Sequence, residues 1–307
     1  MAGPAASALR PVLSGPVLGA TAMVGVGLAY AAVNVVTQWA TATAGLAPPV
    51  VAFWQYALAL AVFLPRLLKS GVGAFRTRRI GRHLVRVGMA TAGVQFFVAG
   101  LAHAPVWQVI AIDMTSPFMV IVGAGLFLGE PMGPRRWAAT AIGFLGGMII
   151  LAPWSDRFSA WSLLPLGAAA MWAGSSVMTK AMTADEPAET VTAWLLLLIT
   201  PINALFLAAS RPEAPWLAFV PPPGPLFLVI AGLALVTAAA QHLLTVAYSK
   251  ADATFLQPFD HLRLPMNVAA GFFAFGYAPG GDLWLGSAMI VGASLWLLKA
   301  EARASAG

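Results

Sequence analysis

The chain contains no cysteine. That excludes disulfides, thiol catalysis and thiolate metal sites. Charge is also scarce. Asp, Glu, Lys and Arg together make up 9% of 307 residues, against ~25% in an ordinary soluble domain, so the chain lacks the polar surface to cover itself in water. Catalytic and nucleotide signatures are missing as well. There is no GxxxxGK[ST], HExxH or GxSxG, which leaves no motif for direct ATP use, zinc hydrolysis or a serine nucleophile. No histidine has a partner at zinc-ligand spacing. The sequence predicts no enzyme, no cofactor and no metal.

What remains is apolar. Hydrophobic residues make up 60% of the chain and the mean hydropathy is +0.82. A helix needs ~20 apolar residues to cross the bilayer core. Stretches bounded by Pro, Gly or charge predict ten spans, at 16–44, 48–68, 82–103, 105–128, 134–152, 160–182, 189–209, 224–249, 252–275 and 282–299. The first is too long for a cleavable signal segment. Of the connections, the 66–82 segment is basic and the 211–225 segment is stiffened by Pro221, Pro222, Pro223 and Pro225.

The 17 Lys and Arg outnumber the 11 Asp and Glu, but they do not form a nucleic-acid surface. If the N-terminus is cytoplasmic, the inner side holds Arg10, Arg66, Lys69, Arg76, Arg78, Arg79, Arg82, Arg86, Arg135, Arg136, Lys180, Lys250, Lys299 and Arg303. The outer side holds Arg157 and Arg211, and Arg263 falls inside span nine. The bias places both termini in the cytoplasm.

The chain repeats itself. Tyr30-Ala-Ala-Val-Asn-Val-Val-Thr37-Gln38 is similar to Trp172-Ala-Gly-Ser-Ser-Val-Met-Thr179-Lys180, and Val51-Ala-Phe-Trp54 to Val191-Thr-Ala-Trp194. Thr91-x-x-x-Gln95 matches Thr237-x-x-x-Gln241. Asp113 before Pro117 matches Asp260 before Pro265, and Gly129-Glu130 matches Gly276-Tyr277. Five matches in the same order divide the chain into repeats at 1–152 and 153–307. Five spans per repeat is an odd number, so the second copy must enter the membrane from the opposite side. The expected fold is therefore all-α and membrane-integral, with ten transmembrane helices in two inverted-topology five-helix repeats and a site near the midplane between them.

These residues resemble the drug/metabolite transporter superfamily, specifically its EamA type. The resemblance rests on the aromatic-small-Ser/Asn pattern of spans one and six and on the Ala247-Tyr248-Ser249-Lys250-Ala251-Asp252-Ala253 junction. It also rests on the run from Pro117 to Leu128-Gly129-Glu130, followed by a Gly-rich helix. Within that type the chain looks most like YddG-type bacterial amino-acid exporters. The resemblance implies an inner-membrane carrier that exports amino acids and related metabolites from a central cavity. Tyr277 stands where the first repeat has Glu130, so Glu130 has no symmetric counterpart.

Polar residues in hydrocarbon are costly, which makes their spacing informative. Tyr30, Asn34, Gln38 and Thr41 share one face of span one; Thr237, Gln241, Thr245 and Tyr248 share one face of span eight. Span six offers Trp172, Ser176, Thr179 and Lys180, and span three Thr91 and Gln95. Two readings stand for these faces: interhelical hydrogen bonds, or a hydrated cavity among spans one, three, four, six, eight and nine. His242 is read as core or cavity wall and is counted among the site candidates. His261 is read as core or cavity wall. Tyr30, Trp107, Trp172 and Tyr248 are candidates for sorting cargo side chains or holding cations.

Span nine reads Pro258-Phe-Asp260-His261-Leu-Arg263-Leu-Pro265. For a zwitterionic cargo, Asp113 or Asp260 would accept the ammonium and Arg263 would donate to the carboxylate. The alternative is an Asp260–Arg263 pair that only holds the helix. Gly143-x-x-x-Gly147 is either a dimer face or a packing face within the chain, and self-association beyond a weak homodimer is not expected. An exporter of drugs or cationic metabolites and a passive pore are the competing functions.

Overall fold

The computed structural model describes residues 15–69, 76–101, 106–151, 161, 163–210, 213, 216, 219–276 and 281–304. Regular structure among them is wholly helical. α1 (Gly15–Gln38) runs into one π-helical turn, Trp39–Thr43. It is followed by α2 (Pro48–Lys69), α3 (Ile80–Leu101), α4 (Val106–Asp113), α5 (Ser116–Leu128) and α6 (Pro134–Leu151). The second set is α7 (Leu163–Thr183), α8 (Ala188–Ala209), α9 (Gly224–Lys250), α10 (Ala253–Asp260), α11 (Arg263–Phe275) and α12 (Leu283–Ala304). Five of the described helical stretches are individually long and apolar enough to cross a membrane.

The helix bounds follow the expected spans closely, with one difference. The spans expected at 105–128 and 252–275 are each two half-helices, broken after Asp113 and after Asp260. The prolines explain the position of the breaks. Pro117 is the second residue of α5 and Pro265 the third of α11, where a missing N–H costs no intrahelical bond. Both half-helices then end alike. Gly129 closes α5 at φ +68° and Gly276 closes α11 at φ +72°, a left-handed cap that glycine adopts without strain. Related segments of the two repeats thus fold the same way.

The bundle packs α1 along α9, α3 along α7 and α6 along α12; α2 lies on α8 and α9, and α1 also on α11. Small residues set these approaches. A Cβ on Gly19 would come within 2.6 Å of the Ala251 Cβ, and one on Gly146 within 2.6 Å of the Gly286 oxygen. Gly143 faces His261 and Gly147 faces Met114, so the Gly143-x-x-x-Gly147 face packs against the two helix breaks of its own chain.

One end of the bundle is basic and tightly tied. The Glu130 carboxylate accepts from the first N–H groups of α10, Ala253 and Thr254, both at 2.9 Å. Arg136 donates to Asp252 at 2.9 Å. Lys180 donates to the carbonyls of Tyr248 at 3.0 Å and Ala251 at 2.8 Å. Arg79 pairs with Asp185, and His83 lies 2.8 Å from Glu186. Negative charge at the start of α10 and positive charge at the end of α9 both suit the helix dipoles.

Candidate functional site

The two breaks meet near the middle of the bundle. Arg263, the first residue of α11, places Nη2 3.5 Å from Asp113 Oδ2 and 3.5 Å from Asp260 Oδ2. One guanidinium therefore answers two carboxylates, one from each repeat. Asp113 Oδ1 is sealed and has no hydrogen bond. The Asp260–Arg263 pair that stood as the alternative to cargo binding is present, and the close approach of α4 adds Asp113.

Around this cluster, Asn34 of α1 donates to Asn267 Oδ1 at 2.8 Å, and Asn267 donates to the Arg263 carbonyl at 2.6 Å. A Cβ on Gly27 would lie 2.9 Å from Met266 Sδ, so α1 lies tight against α11. Tyr30 is within electrostatic range of Arg263, Asp260 and Arg86. Tyr248, 3% exposed, lies beside Ser176 of α7 and Gln257 of α10. Trp172 lies 5.3 Å from Phe97, tilted by 44°, and its indole fills the space where Gly93 has no side chain.

The expected residues do not all face one space. On α9, Thr237 accepts from Gln55 at 2.8 Å and Thr245 bonds Thr192 at 3.2 Å. That stripe ties α9 to α2 and α8, and only its last member, Tyr248, turns to the middle. His242 lies 5.5 Å from Phe63, tilted by 50°, with Glu189 4.0 Å away, on the α2–α8 side. Gln38 and Gln95 are exposed, in the half away from the basic end. The side chain of Trp107 lies outside the described residues.

Two walls result. One is α1, α9 and α11, carrying Tyr30, Asn34, Arg263 and Asn267. The other is α3, α4 and α7, carrying Gln95, Asp113, Trp172 and Ser176. At the basic end the walls are tied together through α5 on α10 and through Lys180 on the end of α9. Among the described residues no comparable hydrogen-bonded tie joins them at the other end.

Arg86 was counted with the loop charges, yet it is buried in α3. Its Nε donates to Thr179 Oγ1 at 2.7 Å and its Nη1 to the Val191 carbonyl at 3.0 Å. A signal was present in the sequence. Arg86 stands seven residues before Gly93, on the face that packs against α7.

The model of the EamA-like transporter family matches residues 17–152 and again 159–299. A riboflavin transporter of Rhizobium johnstonii is 51% identical over 94% of this chain and 93% of its own length. A riboflavin transporter of Vibrio cholerae is 44% identical over 94% of this chain and 96% of its own. An S-adenosylmethionine uptake transporter of Rickettsia bellii is 26% identical over 83% of this chain and 84% of its own. A crystal structure 20% identical in sequence has the same fold, with a TM-score of 0.73 over 92% of this chain and 99% of that one.

Proposed function

Because this chain belongs to the EamA-like transporter family of the drug/metabolite transporter superfamily, we propose that it carries riboflavin, or a close flavin analogue, across the bacterial inner membrane. The observation that carries this reading is the near full-length identity of 51%, 48% and 44% to three proteins named riboflavin transporters. The basic end faces the cytoplasm, in keeping with the positive-inside rule.

The chemistry between the walls suits such a cargo. A flavin pairs a flat tricyclic ring with a polyhydroxyl chain. Trp172, Phe97, Tyr30 and Tyr248 offer aromatic surface for the ring, which favours offset or edge contacts. Asn34, Gln95 and Ser176 offer donors and acceptors for the hydroxyls. An amino-acid cargo finds less support, because the guanidinium expected to receive its carboxylate is already shared by Asp113 and Asp260.

Transport follows from the two-wall construction. The basic end is tied shut, so the site faces the other side of the membrane. Rocking one repeat against the other would break the ties of Glu130 and Arg136, which cross from one repeat to the other, and expose the site to the cytoplasm. The decisive experiment is flux of labelled riboflavin in proteoliposomes. We expect saturable uptake, counterflow from preloaded vesicles and competition by flavins but not by amino acids. Competition by amino acids with no effect of flavins would overturn the cargo, and ohmic, non-saturating flux would overturn the carrier.

A further inference from the structure

Arg86 is 2% exposed and lies about 9 Å along α3 from its first residue, at 1.5 Å per residue. Two of its guanidinium nitrogens are committed, to Thr179 and to the Val191 carbonyl. The third, Nη2, has no hydrogen bond among the described residues and is not among the atoms sealed from water. No carboxylate lies within ion-pair distance of Arg86 among the described residues. Arg136, comparably buried, has Asp252, and Arg263 has two acids.

An intramembrane cation without a counter-ion is expensive. The bonds to Thr179 and Val191 would be served as well by a neutral donor, so packing does not account for the charge. Tyr30 and Tyr248 are within electrostatic range of both Arg86 and Arg263, and Ser175, next to Ser176, donates to the Arg86 carbonyl at 3.2 Å, which puts Arg86 beside the candidate site. Arg263 is occupied by Asp113 and Asp260. Among the described residues the buried cation at this site with no counter-ion is therefore Arg86.

We infer that Arg86 is a cargo-contacting residue whose Nη2 donates to the carbonyl oxygens of the pyrimidinedione edge of the flavin ring. The inference rests on the flavin reading above and deepens it. A guanidinium is suited to such an edge because its donors lie in one plane with the ring's acceptors. The Thr179 and Val191 bonds hold the guanidinium in place, so little side-chain freedom is lost on binding.

The test is equilibrium binding to the purified full chain, read by quenching of riboflavin fluorescence. On the native chain, lumichrome, which keeps the dione ring without the sugar chain, competes with riboflavin, and ribitol does not. The 2-thio or the 4-thio analogue, in which sulfur replaces one dione oxygen, binds about tenfold more weakly, the value of one hydrogen bond. Arg86→Lys and Arg86→Gln weaken riboflavin by a similar factor and abolish the difference between riboflavin and the thio analogue.

Two results would overturn the inference. One is a thio penalty of equal size in native and variant chains, which would limit Arg86 to tying α3 to α7 and α8. The other is competition by ribitol but not lumichrome on the native chain, a measurement that stands even if the variants fail to fold. If the native chain binds no flavin at all, the cargo reading falls and takes this inference with it.

Discussion

Arg263 stands 3.5 Å from Asp113 and 3.5 Å from Asp260, so a single guanidinium joins the broken helix of one repeat to the broken helix of the other. The two acids are equivalent in the internal repeat, but the arginine belongs to one repeat alone. Any rocking of the repeats must lengthen the Asp113 contact more than the Asp260 contact, because Asp260 lies three residues away on the same span. In the rocking proposed above, the cluster lies on the seam that moves.

Removing the cation should leave two carboxylates facing each other. We expect Arg263→Gln to lower stability by about 1–3 kcal/mol, less than the ~3–5 kcal/mol of a fully sealed pair, since the Arg263 side chain is 35% exposed. Thermal unfolding in detergent measures the loss. Adding Asp113→Asn and Asp260→Asn should recover most of the melting temperature while transport stays lost. Recovery of transport in the triple variant would show the cluster to be purely structural.

Glu130 supplies a prediction about the closed end. Its carboxylate caps α10 through two backbone N–H groups, and loss of a cap costs ~0.5–2 kcal/mol. Glu130→Gln should shift the chain toward the state open at the basic end. The absence of cysteine means that Ser176→Cys can be labelled without background. In oriented vesicles an impermeant thiol reagent should reach Ser176→Cys from the side opposite the basic end. In the Glu130→Gln background it should also do so from the basic side. Equal labelling from the basic side in both backgrounds would contradict the latch.

The α6–α12 contact predicts a contrast between two glycines of one helix. A Cβ at Gly286 would lie 2.4 Å from the Gly146 oxygen, whereas one at Gly292 meets nothing within 4 Å. Gly286→Ala should destabilise by ~1–3 kcal/mol, as overpacking does. Gly292→Ala should be neutral or stabilising by up to ~1 kcal/mol through helix propensity. Melting temperatures of the two variants decide this.

Trp172 predicts a graded effect on cargo. Its ring is held beside Phe97 and over Gly93. Loss of an aromatic pair forfeits ~0.5–1.5 kcal/mol beyond area, so Trp172→Ala should raise the riboflavin Kd by about threefold to tenfold or more. Trp172→Phe should recover part of that. Equal Kd values for the native chain and Trp172→Ala would remove the ring from this wall.

Much of the architecture is legible in the sequence. Apolar length places the spans and the ordered matches divide them into two sets of five; the breaks after Asp113 and Asp260 were not expected, although Pro117 and Pro265 stand just beyond them. The repeat Gly129 and Gly276 caps were visible as paired residues. Their shared left-handed geometry is what a glycine after an apolar helix calls for.

The neighbours of each polar face were not legible. Helical spacing says that Thr237, Gln241, Thr245 and Tyr248 share a face, but not that α2 and α8 cover the first three. Gly143 and Gly147 were readable as a smooth face, but not as the seat of His261 and Met114. Arg86 looked like one more charge beside a basic loop until α7 and α8 closed over it.

The sequence by itself determined that this chain crosses the membrane as two related sets of five spans, because hydrocarbon thickness and helix rise leave few other solutions. Only the tertiary structure decided that Arg263 serves both acids and that Arg86 keeps a free donor. Those facts depend on which helices, distant in sequence, come to lie against one another, and periodicity along a single helix carries no record of its neighbours.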